Sequence, residues 1–124
     1  MDWFEREIVH PTPVPTSGTP IEQRLLEAMR ARGRLPDPVA QHRVMDESGK
    51  LITVPDFAFL DERIAIYCDG FAYHGNVEQL TSDARKRNLL QAMGWSVLTF
   101  WGRQILRDPD ACEAQVWQCF QFRR

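Results

Sequence analysis

The sequence has no apolar run near the roughly 20 residues that a bilayer-spanning helix needs. It also has no basic-then-apolar leader at its start, so no membrane role is expected. Cysteine is scarce: Cys68, Cys112 and Cys119 are an odd number without CxxC spacing. That argues against a disulfide framework or a zinc knuckle and fits a reducing cytoplasm, the expected location. An excess of positive charge is lacking too. The net charge is −2 and the pI about 5.9, so any support for nucleic-acid binding has to come from local clusters. Internal repeats are absent. What is present is ordinary: 44% hydrophobic and 26% charged residues over 124 positions suit one domain with one core.

Residues 1–18 read "MDWFEREIVHPTPVPTSG". Prolines at 11, 13 and 15 cannot share a helix or a central strand. An extended tether is expected there, with Trp3 and Phe4 docking, joining the domain at 19–124 to an upstream fused or interacting domain. Thr19 is a candidate N-cap, Pro20 fits the first helical position, and Glu22 completes a T-x-x-E capping box. Ile21, Leu25, Ala28 and Met29 fall on one face, and Gly33 ends the helix. "VAQHRVM" reads as a strand, "DESG" as a turn, and 51–54 as extended structure leading into Pro55. Residues 56–60 and 63–68 form two strands around a tight turn at Asp61-Glu62. The second, "IAIYC", is apolar throughout, as in a strand buried on both faces. Thr81 or Ser82 caps a second helix that runs to Met93, with Leu89, Leu90 and Met93 inward. "WSVLTFW" is a further strand, and Asp108-Pro109 opens a last helix with Cys112, Val116, Cys119 and Phe120 on one face. The stretch 64–100 is a strand–helix–strand unit, which favours a right-handed crossover and a parallel pair. The three earlier strands read as an antiparallel meander. The expected fold is α/β (α+β): helix, three-strand meander, helix, strand, helix, with a mixed sheet flanked by helices.

A hairpin built only for packing needs no acid at either end. With a two-residue loop at 61–62, position 56 faces 67, and Asp56, Tyr67 and Asp69 share one face. Asp56 and Asp69 are then diagonal neighbours with alpha carbons roughly 7–8 Å apart. Two such carboxylates can share a hydrated cation, since Mg²⁺ takes one or two carboxylates and keeps waters and phosphate oxygens elsewhere. An ion so placed orients a water and stabilises charge on a phosphate in transfer. His74, five residues after Asp69, is a candidate general base or leaving-group donor. Each residue has a plainer role beside this one. Asp56 is also a turn acid after proline, Asp69-Gly70 a turn dipeptide, His74 a surface or packing histidine, and Glu22 a cap. Their joint placement at one end of one sheet favours chemistry.

The runs "VPDFAF", "IAIYCDGFAYH" and "DARKRNLLQAMGWSVLTFW" resemble the PD-(D/E)XK nuclease superfamily, and within it the very short patch repair endonuclease-like branch. The resemblance spans roughly residues 19–120. It implies a restriction-endonuclease-like core, Mg²⁺ (or Mn²⁺) dependence and hydrolysis of DNA phosphodiester bonds. It makes Asp56 the metal-binding acid and Glu22 an acid of the first helix. It puts Asp69 where many members carry a lysine, and His74 at the branch's histidine. Tyr67 departs from the pattern, which usually has Glu or Asp there. With a pKa near 10, tyrosine does not replace a carboxylate at neutral pH. The resemblance to the repair-endonuclease branch moves that ligand to a backbone carbonyl, here that of Cys68.

DNA contacts are expected from Arg85, Lys86 and Arg87, which open the second helix, and from Arg103 and Arg107 after the last strand. The plainer reading is a solvated helix face with Asp83 and Arg87 paired at i,i+4. The function expected is a metal-dependent DNA endonuclease, with catalytic residues Asp56, Asp69, His74 and Glu22 and metal ligands Asp56 and the Cys68 carbonyl. The alternative is a nuclease-like fold that has lost catalysis and serves as a nucleic-acid-binding or protein-docking module.

Overall fold

Thr19 caps the first helix as its position suggests: its Oγ1 accepts the Glu22 N–H at 3.2 Å, with Pro20 following in the first turn. This computed structural model describes residues 19–70 and 77–124. The expected tether and His74 lie outside the described residues. Helix α1, Pro20–Ala31, buries Ile21, Leu25, Leu26 and Met29. Gly33 follows at φ +66°, a left-handed conformation that suits glycine and stops the helix.

The strand expected over 39–45 is broken. Gln41 takes φ +53°, a left-handed conformation costing a non-glycine residue roughly 1–2 kcal/mol. Its backbone N–H donates to the Asp56 carbonyl at 3.0 Å. The break sends the two halves to different partners. Strand β1, Val39–Ala40, pairs antiparallel with β4, Phe57–Phe59. Strand β2, Val44–Met45, pairs with β3, Leu51–Thr53, in a separate two-stranded ribbon. The expected meander of three sequential strands therefore does not form.

The hairpin has the expected register. Phe57 faces Ile66, Ala58 faces Ala65, and Phe59 faces Ile64 of strand β5, Ile64–Asp69. Every residue of β5 is buried, as its unbroken apolar run implies. Helix α2, Val77–Ala92, crosses over to strand β6, Ser96–Trp101, which runs parallel to β5 from Ile64↔Ser96 to Asp69↔Trp101. The sheet order is β1-β4-β5-β6, which puts β4 and β5 at the centre. Two short-range signals led the reading of α2 astray. Thr81 lies inside the helix, its hydroxyl donating to the Val77 carbonyl at 2.8 Å. Of the three residues expected to face inward, Leu90 is buried but Leu89 and Met93 are largely exposed.

The fold closes with α3, Gly102–Arg107, and α4, Pro109–Arg123, the latter capped by Asp108. Helices α1 and α4 cover one face of the sheet, burying Phe57, Phe59, Ile64, Ile66 and Cys68 against Leu25, Met29, Val116 and Phe120. On the opposite face Ala65 and Tyr67 pack with Leu90, Val44 and Trp95. Fully buried Glu113 of α4 is held by Arg34 through two bonds of 2.8 and 2.7 Å, and Arg34 lies over the Trp117 ring. Among the described residues no helix is long and apolar enough to cross a membrane.

Candidate active site

The β4–β5 ladder ends where the chemistry begins. Carried two places further, its register puts Pro55 opposite Cys68. Proline has no N–H, so from that position it cannot bond the Cys68 carbonyl. In place of the ladder bond, the Cys68 N–H donates to Asp56 Oδ2 at 2.7 Å. The two polar groups of one strand residue point the same way in an antiparallel pair. The Cys68 carbonyl is therefore directed to the Asp56 side of the strand. The Cys68 thiol is pushed well up by burial, with nearby Asp56 and Glu22 adding to it. It stays protonated in the core, and only the backbone of this residue serves the site.

Asp56 is half-buried and faces a second acid. Glu22, on the first turn of α1 and 6% exposed, meets the Asp56 side chain, and the Gln41 side-chain amide donates to Glu22 Oε1 at 3.4 Å. Burial first, and then the neighbouring Glu22 charge, push the Asp56 carboxyl up to about 8. The Cys68 N–H and the Gln41 amide pull it the other way. The resemblance placed Glu22 among the site residues, and the fold brings it there from the far end of the chain segment. Gln41 was not foreseen. Nothing local marks a glutamine in an apparent strand, because its left-handed turn is set by the partners it reaches.

Tyr67 stands opposite Asp56 in the register. Its hydroxyl shares a 2.9 Å hydrogen bond with Thr53 of β3, and the Arg87 guanidinium lies 4.0 Å over its ring. Burial raises its pKa, so it stays a neutral phenol. Asp69 lines the same cavity as Asp56, as the period-2 pattern required. Both of its oxygens, however, accept from Arg87 at 2.8 Å, and Arg87 Nη1 also reaches Thr99 Oγ1 at 3.1 Å. The expected i,i+4 partnership is thus replaced by a cross-element pair, while Asp83 accepts from Gln79 at 3.0 Å. Arg85 and Lys86 are exposed in the middle of α2, not at its start, and Arg103 is exposed on α3.

These groups enclose a cavity of about 310 Å³. Its floor is Asp56, Tyr67, Cys68 and Asp69; one wall is the stretch through β3, and the other is α2 with Asp83, Lys86 and Arg87. Among the described residues no three His, Cys, Asp or Glu side chains converge on one point. Two touching carboxylates and a carbonyl directed their way still suit Mg²⁺, which fills its remaining positions with water. A cation there would also offset the like-charge contact that raises the Asp56 carboxyl.

A mixed sheet between helical layers, with acids gathered at the end of its central hairpin, defines a restriction-endonuclease-like core. The family described as REase_MTES_1575 matches residues 22–120, and the chain belongs to it. It is similar to the type II nicking enzyme V.NmeDIP of Neisseria meningitidis serogroup C. The two are 28% identical over 123 residues, covering 83% of this chain and 78% of the relative. It is also similar to the type II nicking enzyme V.HpaIIP of Haemophilus parainfluenzae, 23% identical over 96 residues, covering 61% of this chain and 67% of the relative. No solved structure gives a significant match.

Proposed function

We propose that this chain is a metal-dependent DNA endonuclease domain that nicks one strand, in the manner of the very short patch repair-like branch. The observation that carries the reading is Asp56 on the floor of a cavity, in contact with buried Glu22 behind it and beside a strand carbonyl that proline leaves without a ladder donor. The names of the two relatives support the DNA substrate and the single-strand cut. Asp56, with the Cys68 carbonyl and Glu22 behind it, would hold Mg²⁺ or Mn²⁺. Such an ion supplies Lewis acidity toward a phosphate oxygen and a more acidic water.

The chain's own residues do the rest. The Gln41 amide and the Cys68 N–H fix the two carboxylates in position. A water oxygen attacks phosphorus, the bond to the leaving sugar oxygen breaks, and the water's proton passes to Glu22, whose carboxylate meets Asp56. The leaving oxygen takes a proton from solvent or from His74, whose role rests on the resemblance. Exposed Arg85 and Arg103 hold the flanking backbone. Asp69, bound on both oxygens by Arg87, acts on the architecture of the cavity instead of on the ion.

Supercoiled plasmid incubated with the protein and Mg²⁺ or Mn²⁺ should relax to the nicked form, EDTA should stop it, and Asp56→Ala should abolish it while the fold persists. Equal cleavage by wild type and variant would refute Asp56 as the ligand. Tyr67 in the place of an acid favours the alternative of a binding module without catalysis. DNA binding with no cleavage of duplex, flapped or mismatched DNA under any of these conditions would establish that alternative.

A further inference from the structure

Phosphoryl transfer needs positive charge beside the phosphate as well as an acidic floor. Strand β5 does not supply it: the residues it lends to the cavity are Tyr67, Cys68 and Asp69. Two cations reach the cavity, both from α2. Arg87 is committed. Its guanidinium makes a two-pronged pair with Asp69, bonds Thr99 and lies over the Tyr67 ring, with its side chain 16% exposed. Its charge is matched by Asp69, and its position is fixed further by Thr99 and Tyr67.

Lys86 differs in each respect. It lines the cavity and is exposed, and among the described residues no hydrogen bond or ion pair holds its ammonium. A lysine is a compact charge on a flexible four-carbon stem, so from the α2 wall it can swing over the Asp56 floor. Resident charge in the cavity also calls for it. With Arg87 matched by Asp69, Lys86 is the one cation of the described lining not held in an ion pair, and an incoming phosphate needs a cation from the wall. We infer that Lys86 is a catalytic residue: its ammonium contacts the scissile phosphate and stabilises the charge that grows on it, supplying from helix α2 the cation that strand β5 lacks at position 69.

This assignment rests on the nuclease reading, and the test separates the two. Single-turnover cleavage of a duplex oligonucleotide is measured for wild type, Lys86→Ala and Lys86→Arg, alongside DNA affinity by fluorescence anisotropy with Ca²⁺ in place of Mg²⁺. Because the side chain is exposed, melting curves should coincide and fix the comparison. Lys86→Ala is expected to lose about 100-fold in the cleavage rate, the scale of removing one transition-state donor, with affinity within about threefold. Lys86→Arg should recover a large part of that rate. Cleavage by Lys86→Ala within about threefold of wild type would overturn the assignment alone, as would an affinity loss as large as the rate loss, which would mark a contact that only positions the backbone. A wild type that cuts nothing overturns the nuclease reading and this assignment with it.

Discussion

Asp56 should make the metal-free protein less stable as pH rises, the reverse of an ordinary surface carboxylate. In the unfolded chain this group titrates near 3.8, and in the folded one near 8. Between those values the folded state binds the extra proton, so stability is complete below about pH 4 and falls as pH climbs toward 8. Each tenfold change in proton affinity is worth about 1.4 kcal/mol, which sets a ceiling of about 5 kcal/mol at pH 7.5. Asp56 is partly exposed to the water of its cavity, and that contact reduces the cost to about 2 kcal/mol. The unfolding entropy of a chain of 124 residues, about 0.26 kcal/mol per kelvin, turns this into about 8 °C of melting temperature. The perturbation is Asp56→Asn, whose amide oxygen still accepts the Cys68 N–H while its NH₂ donates to Glu22. Melting curves in EDTA near pH 5 and near pH 8 should show wild type losing about 8 °C and the variant nearly flat. Mn²⁺ should restore wild type near pH 8 and leave the variant unmoved, since whatever binds only the folded state stabilises it. A wild-type melting temperature that rises with pH, or a variant with the same pH dependence, would refute the like-charge contact with Glu22.

Arg87→Met should be among the more damaging changes outside the core, because it leaves Asp69 buried without the guanidinium that holds both its oxygens; a cost of about 3–5 kcal/mol by urea denaturation is expected, partly recovered by adding Asp69→Asn. Tyr67→Phe keeps the ring under Arg87 and removes only the bond to Thr53, so stability should fall by about 1 kcal/mol while hydrogen exchange rises in the β2–β3 ribbon. Unchanged exchange there would mean that the ribbon is held by other contacts.

The sequence showed most where a signal is local. Thr19 before Pro20, Asp108 before Pro109, and the alternation around Asp61-Glu62 each settle their structure within a few residues, and the facing of 56 and 67 followed from the last of these. The failures share a different cause. Helix α2 buries Leu90 alone among its large apolar residues, so its apolar pattern carries little information about which face turns inward or where the helix starts. Gln41 turns left-handed for the sake of Asp56 and Glu22, both more than a dozen residues away. Arg87 had an equally good partner at i,i+4 on paper. Only the parallel docking of β6, with Thr99 beside Tyr67 and within reach of the same guanidinium that holds Asp69, shows why Arg87 goes inward. Site geometry that depends on register was legible; site geometry that depends on which charge meets which across elements was not.

The parallel pairing of β5 with β6 sets an order of assembly. Glu22, Gln41, Asp56 and Cys68 all precede residue 70, and the hairpin joining the last two closes over a short loop. The cationic wall comes later, since Arg87 and Thr99 meet Asp69 only after a crossover that closes at higher entropic cost. During synthesis the acids are therefore made before the arginine that orders their neighbour. A chain that ends before residue 87 holds these acids in its sequence but lacks the guanidinium that pairs with Asp69. The cationic side of the cavity is thus the last part of the site to be completed, and it depends on the crossover that sets β6 beside β5.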